Sequence, residues 1–183
     1  MKKLPLSLAL LLAVAIAGAC AQTPTGAPIA KATETFWLYK AGKFKGPGDY
    51  SYGSGKITYG SSTVIVTGDE AWQPRFPHDD INTGPYTYLT VSIKPTQQQT
   101  WISGMLMIGD VAIPGSNGAV DIMPYGPNPA VIGEWNVYKI PLTAYGIKLG
   151  SGLHVYKVMF QSQNIASPQT NKVEYDAVGL VPE

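Results

Sequence analysis

The sequence predicts an all-β protein, folded as one antiparallel β-sandwich. Short runs of β-branched and aromatic residues recur along the chain, and clusters of Gly, Pro, Asn and Asp separate them. No stretch after residue 30 has the apolar spacing of an amphipathic helix. With 20 Gly and 15 Pro in 183 residues, the chain is rich in turn formers. The sequence has no repeat of fixed period, which argues against a propeller or a β-helix.

Residues 1–21 predict a secretory signal peptide that is cleaved from the mature protein. Two lysines give it a positive start, an unbroken apolar run follows, and Ala19-Cys20-Ala21 fits a cleavage site. In an alternative interpretation, the run AGAC at 17–20 is similar to a lipoprotein box, and a lipid on Cys20 would anchor the protein to a membrane. Both interpretations predict export, to the periplasm or to the extracellular space.

Residues 22–32 are rich in Pro, Thr and Ala and predict a linker, which leaves residues 33–183 for the folded domain. In chain order, the predicted strands are Glu34–Tyr39, Lys56–Tyr59, Thr63–Thr67, Tyr86–Lys94, Trp101–Gly109, Ala119–Met123, Trp135–Ile140, His154–Ser162 and Lys172–Val181. In the fourth of these, a spacing of two places Leu89, Val91 and Ile93 on one face, toward the core. The run LTAYG that follows the seventh strand predicts at most one turn of helix.

Composition and charge exclude several classes of function. The chain has 13 basic and 12 acidic side chains, so it lacks the basic surface that a phosphate backbone requires, and no nucleic-acid partner is predicted. A single cysteine excludes an intrachain disulfide and a Cys-rich zinc site. No second apolar segment of about 20 residues follows the predicted signal peptide, so no transmembrane span is predicted. The sequence gives no prediction of the oligomeric state.

The segment 68–86 is the predicted ligand site, because mixed aromatic and charged residues are typical of binding loops. Flat rings stack on the C–H faces of sugars, and polar groups bind the sugar hydroxyls. The predicted ligand-binding residues of this loop are Trp72, Arg75, Phe76, His78, Asp79 and Asp80, and Tyr125 of a second loop joins them. In the alternative interpretation, the rings of Trp72 and Phe76 fill one end of the core.

No arrangement of residues marks a catalytic centre. A glycosidase needs two carboxylates about 5–9.5 Å apart, and nothing in the sequence marks any two acidic residues as such a pair. The nucleophile motif G-x-S-x-G is absent, and the two histidines lack the spacing of zinc ligands. We therefore predict no catalytic residues and keep an enzyme only as an alternative.

The most distinctive segments are YTYLTVSIKPT at 86–96, GEWNVYKIPL at 133–142, HVYKVMFQSQN at 154–164 and VEYDAVGLVP at 173–182. The second has the form W-x-x-Y-x-I-P-L, and the last contains Y-x-D-x-V-G-L. These segments resemble the jelly-roll carbohydrate-binding modules of the galactose-binding-like superfamily, and the resemblance implies a jelly-roll sandwich that binds carbohydrate. We expect Trp135 and Tyr138 of the second segment to be buried at one end of the sandwich.

The resemblance also implies a structural calcium ion. In similar modules, an Asp of the last strand binds calcium together with an acidic residue near the first strand and backbone carbonyls. Glu34 and Asp176 are the matching positions in this chain. Calcium takes six to eight oxygen ligands, which two carboxylates and several carbonyls can supply. In the alternative interpretation, Asp176 accepts a hydrogen bond from a neighbouring turn.

Together, these observations predict a secreted, non-catalytic domain that binds a polysaccharide or another glycan through aromatic loop residues. Two alternatives stay open at this point. One is an extracellular structural or adhesive sandwich whose polar strand faces bind another protein. The other is a small secreted hydrolase or lyase that acts on glycans.

Overall fold

The computed structural model is all-β, and its strands pair in an antiparallel manner, so the predicted fold class is confirmed. It describes residues 29–53, 55–68, 70–108, 111–112, 119–166 and 170–183. The predicted signal peptide and most of the predicted linker lie outside these residues. Within the described residues, no helix is long and apolar enough to cross a membrane.

The described chain contains fifteen strands. They are β1 Phe36–Lys40, β2 Lys43–Phe44, β3 Asp49–Gly53, β4 Lys56–Tyr59, β5 Val64–Thr67, β6 Glu70–Pro74, β7 Ile81–Asn82, β8 Tyr88–Pro95, β9 Trp101–Ile108, β10 Val111–Ala112, β11 Val120–Asp121, β12 Asn136–Pro141, β13 His154–Val155, β14 Lys157–Gln163 and β15 Lys172–Val181. Short 3-10 helices span Pro77–Asp79, Met123–Tyr125 and Leu142–Tyr145. All the predicted strands are present with small shifts at their ends, and the eighth is divided at Tyr156. By contrast, β2, β3, β6, β7 and β10 lie where no strand was predicted.

Two large sheets form the sandwich. The seven-stranded sheet has the order β12-β8-β15-β1-β2, and β5 with β4 joins it along the first half of β15. The six-stranded sheet has the order β10-β9-β14-β6-β3, and β11 pairs with β9. The short pair of β7 and β13 forms a separate two-stranded sheet.

The sandwich has two ends, which we call the Trp101 end and the Arg75 end. Both β6 and β9 are antiparallel to β14, so they run in the same direction. They begin at the Trp101 end, and β6 leads directly into Arg75 at the other. The described chain enters the domain at the Arg75 end, where the backbone N–H of Ala32 donates to the carbonyl of Pro85 at 3.0 Å.

The core lies between the two sheets and is filled by alternate side chains of each strand. Leu89, Val91 and Ile93 of β8 have no exposed surface, which confirms the face predicted from their spacing. Val158 and Phe160 of β14 are equally buried in the other sheet. Removal of this apolar surface from water is the main force that holds the two sheets together.

Trp72 of β6 lies in an aromatic cluster that joins the sheets. Its ring packs against Tyr39 of β1 at 5.2 Å and Tyr175 of β15 at 5.4 Å between ring centroids, and both partners belong to the seven-stranded sheet. Phe160 packs on it from the six-stranded sheet at 6.3 Å. The indole Nε1 donates a hydrogen bond to Asp49 of β3 at 2.5 Å, so its one polar atom is satisfied.

The prediction that Trp135 is buried is wrong, whereas Tyr138 is fully buried as predicted. In β12, Asn136, Tyr138 and Ile140 point to the core. The residue before Asn136 therefore points outward, and Trp135 is 43% exposed. The Nζ atom of Lys94 lies 5.7 Å from the centroid of the Trp135 ring, at a distance typical of a cation–π contact.

Replacing Trp72 by Ala should lower the free energy of unfolding by about 3–5 kcal/mol, because it leaves a cavity between the sheets. Urea denaturation followed by circular dichroism measures this loss. The matched control is Trp135→Ala, which should cost less than about 1 kcal/mol because that ring lies largely outside the core. Equal losses of unfolding free energy in the two variants would contradict the conclusion that Trp72 packs in the core and Trp135 does not.

Burial raises the pKa of the Tyr175 hydroxyl to about 12, from an ordinary value of 10.0. In the unfolded chain this group ionises at the lower pH, so its contribution to stability is complete below about pH 10 and is lost between about pH 10 and 12. The free energy of unfolding of the wild type should therefore fall more steeply at alkaline pH than that of Tyr175→Phe, by up to about 3 kcal/mol. Urea unfolding of both proteins at about pH 9 and 12 tests this, and identical pH dependences would refute it.

Candidate functional site

Two of the predicted ligand-binding residues, Trp72 and Phe76, belong to the core. Neither has any exposed surface, so neither ring can stack on a ligand, and the prediction is wrong for both. The physical reason is that residues 70–74 form strand β6 and not part of a loop. β6 pairs with β14 on one side and β3 on the other, and its alternation points Trp72 inward. The alternative interpretation, in which both rings pack in the core, is confirmed.

Arg75 lies at the end of β6, beside two residues that sequence analysis did not single out. It forms a backbone bridge with Lys157 of β14. The Arg75 guanidinium lies 5.4 Å from the ring centroid of Tyr156, and the Lys157 Nζ lies 5.5 Å from the same centroid. Two cations thus lie within cation–π distance of one ring.

His78 and Asp80 lie beyond Arg75, on the surface of the same end. His78 is exposed and has a left-handed backbone conformation, with φ at 55°. The Oδ1 atom of Asp80 lies 2.8 Å from Nδ1 of His154, and both side chains are exposed. Such a pair is screened by water and contributes little to stability. The side chain of Asp79 lies outside the described part of the structure.

An open cavity of about 520 Å³ borders His154 at this end. Its other lining residues are Gly146, Ile147, Lys148, Ser151, Gly152 and Leu153. Among the described residues, this lining contains no Trp, Tyr or Phe ring for stacking, and it does not include Arg75. The cavity therefore does not unite the predicted ligand-binding residues.

Tyr125 lies far from Arg75, so the predicted residues do not form one surface. Tyr125 follows β11, which pairs with Ser103 near the beginning of β9. Arg75 forms a bridge with Lys157, and Lys157 pairs with Met107 near the end of β9. These two positions of β9 are separated by about 13 Å along the strand. The ring of Tyr125 is half-buried and packs against the core.

The predicted calcium ligands, Glu34 and Asp176, lie at opposite ends of β1. Glu34 precedes the strand where Phe36 pairs with Leu180. At the other end, Oδ1 of Asp176 accepts a hydrogen bond from the Ala41 N–H at 2.8 Å. The strand separates the two carboxylates by about 20 Å, so they cannot share one ion. The prediction of this ligand pair is wrong, and the alternative, an Asp bonded to a turn, is confirmed.

The six-stranded sheet has a second face, turned away from the core, which we call the outer face. Because Val158 and Phe160 of β14 point inward, the residues between them and beside them point to the outer face. Strand pairing extends this face to both neighbouring strands. Its described positions are Ala71, Gln73 and Arg75 from β6 and its end, Lys157, Met159, Gln161 and Gln163 from β14, Trp101, Ser103, Met105 and Met107 from β9, and Asp121 from β11.

The outer face is recessed. Gln73 is 6% exposed, Lys157 is 5% exposed and Ser103 is 1% exposed, although all three occupy positions that point away from the core. Polar side chains on a flat, solvent-facing sheet retain much more accessible surface. Recessed faces with a few converging polar groups are typical of ligand-binding surfaces.

Neutral hydrogen-bonding groups and apolar groups lie side by side on the outer face. Gln161 and Gln163 each carry an amide that donates two hydrogen bonds and accepts others. Met159 and Met105 pair across the two strands and supply polarizable thioethers. Trp101, half-buried, pairs with Gln163 at the Trp101 end. This arrangement can bind a molecule that has both C–H faces and hydroxyl groups.

Sequence analysis did not predict the outer face as a site, because it looked for aromatic residues in loops. The signal that was present is the alternation in the run HVYKVMFQS, which places Lys157, Met159 and Gln161 on one side. This alternation predicts their common face. The low exposure of Gln73, Lys157 and Ser103 in the structure, which the pattern does not predict, shows that the face is recessed.

The fold is similar to those of solved carbohydrate-binding modules. A mutant of the family 29 module CBM29-2 matches with a TM-score of 0.52 and 12% identity, over 80% of this chain and 84% of that chain. The family 11 module from Clostridium thermocellum, solved with a β-1,3-1,4-mixed-linked tetrasaccharide, matches with a TM-score of 0.51 and 19% identity, over 83% of this chain and 98% of that chain. The β-1,2-glucanase from Parabacteroides distasonis matches with a TM-score of 0.54 and 11% identity, over 81% of this chain and 25% of that chain.

At these identities, the similarity shows a shared fold. The predicted resemblance to jelly-roll carbohydrate-binding modules is therefore confirmed at the level of the fold. No protein-family model and no curated protein matches the sequence.

Proposed function

We propose that the protein binds a polysaccharide or another glycan on the outer face of the six-stranded sheet and leaves the glycan chemically unchanged. The observation that carries this proposal is the recessed face on which Trp101, Met105 and Met159 lie beside the amides of Gln161 and Gln163. A sugar ring has apolar C–H faces and a rim of hydroxyl groups. It therefore uses the aromatic and thioether groups and the amides at the same time.

The charge distribution on this face supports a ligand with little charge of its own. The described positions of β14 and β9 around Met159 and Gln161 carry neutral groups, and Asp121 of β11, which pairs with Ser103, places one carboxylate beside them. Arg75 and Lys157 place positive charge only toward one end. Both can donate hydrogen bonds to sugar hydroxyls, or pair with a carboxylate of an acidic sugar unit.

The solved structures of similar fold support the class of ligand. Two of them are named as carbohydrate-binding modules, and one of these was solved with a mixed-linked tetrasaccharide. Soluble β-glucans are therefore the first ligands to test. The predicted signal peptide supports the same function, because export would bring the domain to polysaccharides outside the cytoplasm.

The geometry gives less support to a glycan-active enzyme. Glu70 of β6 is buried and lies on the inward side of its strand, away from the outer face. Asp80 pairs with His154 beyond the Arg75 end. Asp121 of β11 does lie on the outer face, beside Ser103, but among the described positions of that face it is a single carboxylate, whereas a glycosidase needs two.

A protein contact is a second candidate function, at a different surface. Val131, Ile132, Trp135 and Val137 are between 43% and 55% exposed, on the edge strand β12 and the turn before it. Exposed apolar residues grouped at a sheet edge are typical of protein contacts. Size-exclusion chromatography with light scattering tests this candidate, because a stable oligomer would support it and a monomer at high concentration would count against it.

Replacing Trp101 by Ala should weaken the binding of a soluble β-glucan at least tenfold, since the largest stacking surface of the outer face is lost. A tenfold loss corresponds to about 1.4 kcal/mol of binding free energy. Affinity electrophoresis across several polysaccharides, followed by calorimetry on the one that binds, measures the effect. The matched control is Trp135→Ala, which changes an exposed Trp on the other sheet and should keep the wild-type affinity.

The outcomes separate the site from the function. Wild-type affinity in Trp101→Ala, or a loss in Trp135→Ala, would place the glycan on another surface. A folded wild-type protein that binds no polysaccharide or oligosaccharide would refute the function itself.

A further inference from the structure

The sulfur atoms of the folded domain all belong to methionine. The one cysteine of the chain is Cys20, in the predicted signal peptide, and four of the five methionines follow it. An oxidant that reaches the domain therefore meets thioethers and no thiol. Export through the predicted signal peptide would bring these thioethers to an oxidising compartment.

The four methionines of the domain differ in their access to solvent. Met105 and Met159 are half-buried, and both side chains point away from the core, so their sulfur atoms lie on the solvent side of the sheet. Met107 and Met123 are each only 8% exposed, and Met123 belongs to the core. Oxidation of a buried sulfur would leave a polar sulfoxide without water. Met105 and Met159 are thus the two that can be oxidised without opening the fold.

Met105 and Met159 form a pair on the outer face. They lie directly opposite each other on β9 and β14, which places their Cβ atoms about 4.5–5.5 Å apart. β14 is the middle strand in the order β10-β9-β14-β6-β3. Toward the Trp101 end, the next outward pair is Ser103 with Gln161, and both of these are polar. The two thioethers therefore form one apolar patch in the part of the face where the C–H groups of a sugar would lie.

Hydrogen peroxide converts a thioether to a sulfoxide in one balanced step. The sulfur lone pair attacks one peroxide oxygen, an S–O bond forms and the O–O bond breaks. The departing hydroxide takes the proton of the transferred oxygen and leaves as water. The sulfur loses two electrons, which the peroxide gains. The product is a polar and chiral side chain, and methionine sulfoxide reductases return it to the thioether with electrons from a dithiol.

We propose that Met105 and Met159 are an oxidation site on the outer face, and that their conversion to sulfoxides releases the bound glycan. The release of the glycan rests on the function proposed above, whereas the oxidation site does not. Water hydrates a sulfoxide oxygen on the free face. A sugar that covers this oxygen with C–H groups removes that water and donates no hydrogen bond in return, so binding is weakened.

Mass spectrometry tests the oxidation site without any glycan. Purified full-length protein is exposed to dilute hydrogen peroxide, and the sulfoxide at each methionine is followed over time by fragmentation of its peptide. Met105 and Met159 should be oxidised at least about tenfold faster than Met107 and Met123, because their sulfur atoms are accessible in the native fold.

Calorimetry with a soluble mixed-linked β-glucan tests the effect on binding. Peroxide should weaken the affinity of the wild type at least about fivefold, with an unchanged circular dichroism spectrum, and the reductases with dithiothreitol should restore it. The double variant Met105→Leu/Met159→Leu should have the same affinity before and after peroxide, because leucine carries no sulfur. The matched control Met123→Leu should lose affinity on treatment, as the wild type does.

The outcomes separate the oxidation site, the release of the glycan and the proposed function. Equal oxidation rates at all four methionines would overturn the oxidation site. Selective oxidation of Met105 and Met159 with unchanged affinity would overturn the release and leave the proposed function intact. The release would also be overturned by a loss of affinity that the double variant shares or that accompanies unfolding. A protein that binds no glycan before treatment would refute the proposed function and the release together, while the oxidation rates still decide the site.

Discussion

The packing of Trp72 between the two sheets is the contact on which the rest of the structure depends. Its ring contacts Tyr39 and Tyr175 of the opposite sheet, and its indole nitrogen is bonded to Asp49 of the neighbouring strand. Because side chains alternate along a strand, the inward position of this one residue decides the direction of all others on β6. It turns Gln73 outward and Glu70 inward. The register of β6 against β14 then extends both faces across the six-stranded sheet.

The two faces of that sheet are consequently different chemical surfaces built from the same strands. The inward face is apolar along most of its length and becomes polar only near Ser162 and Asn171. The outer face carries amides, thioethers, one indole and the carboxylate of Asp121, with cations near Tyr156. On the outer face, Gln161 and Gln163 are only half-buried and still border solvent. Polar groups on the inward face cannot reach bulk water, so their oxygens need a fixed partner.

Much of the fold follows from local sequence, but the candidate site does not. The period-two alternation of β8 and β14 is strong enough to predict both the strands and their core faces. By contrast, the runs DYSYG and EAWQP contain few β-branched residues, lie next to Gly and Pro, and become β3 and β6 only because they pair with each other and with β14. The local sequence around an isolated Trp in such a run does not distinguish a Trp in a binding loop from a Trp in the core. The burial of Trp72 and the exposure of Trp135 are therefore set by strand pairing, which composition and spacing do not contain.

The backbone contact between Ala32 and Pro85 fixes the direction in which the domain is presented. The described chain begins at residue 29, at the Arg75 end of the sandwich. Trp101 lies at the opposite end of the same sheet, so a tether would hold the cationic end of the outer face near its support and leave the indole farthest from it. A long polymer chain could then approach Trp101 from the free side, without a steric conflict with the surface to which the domain is attached.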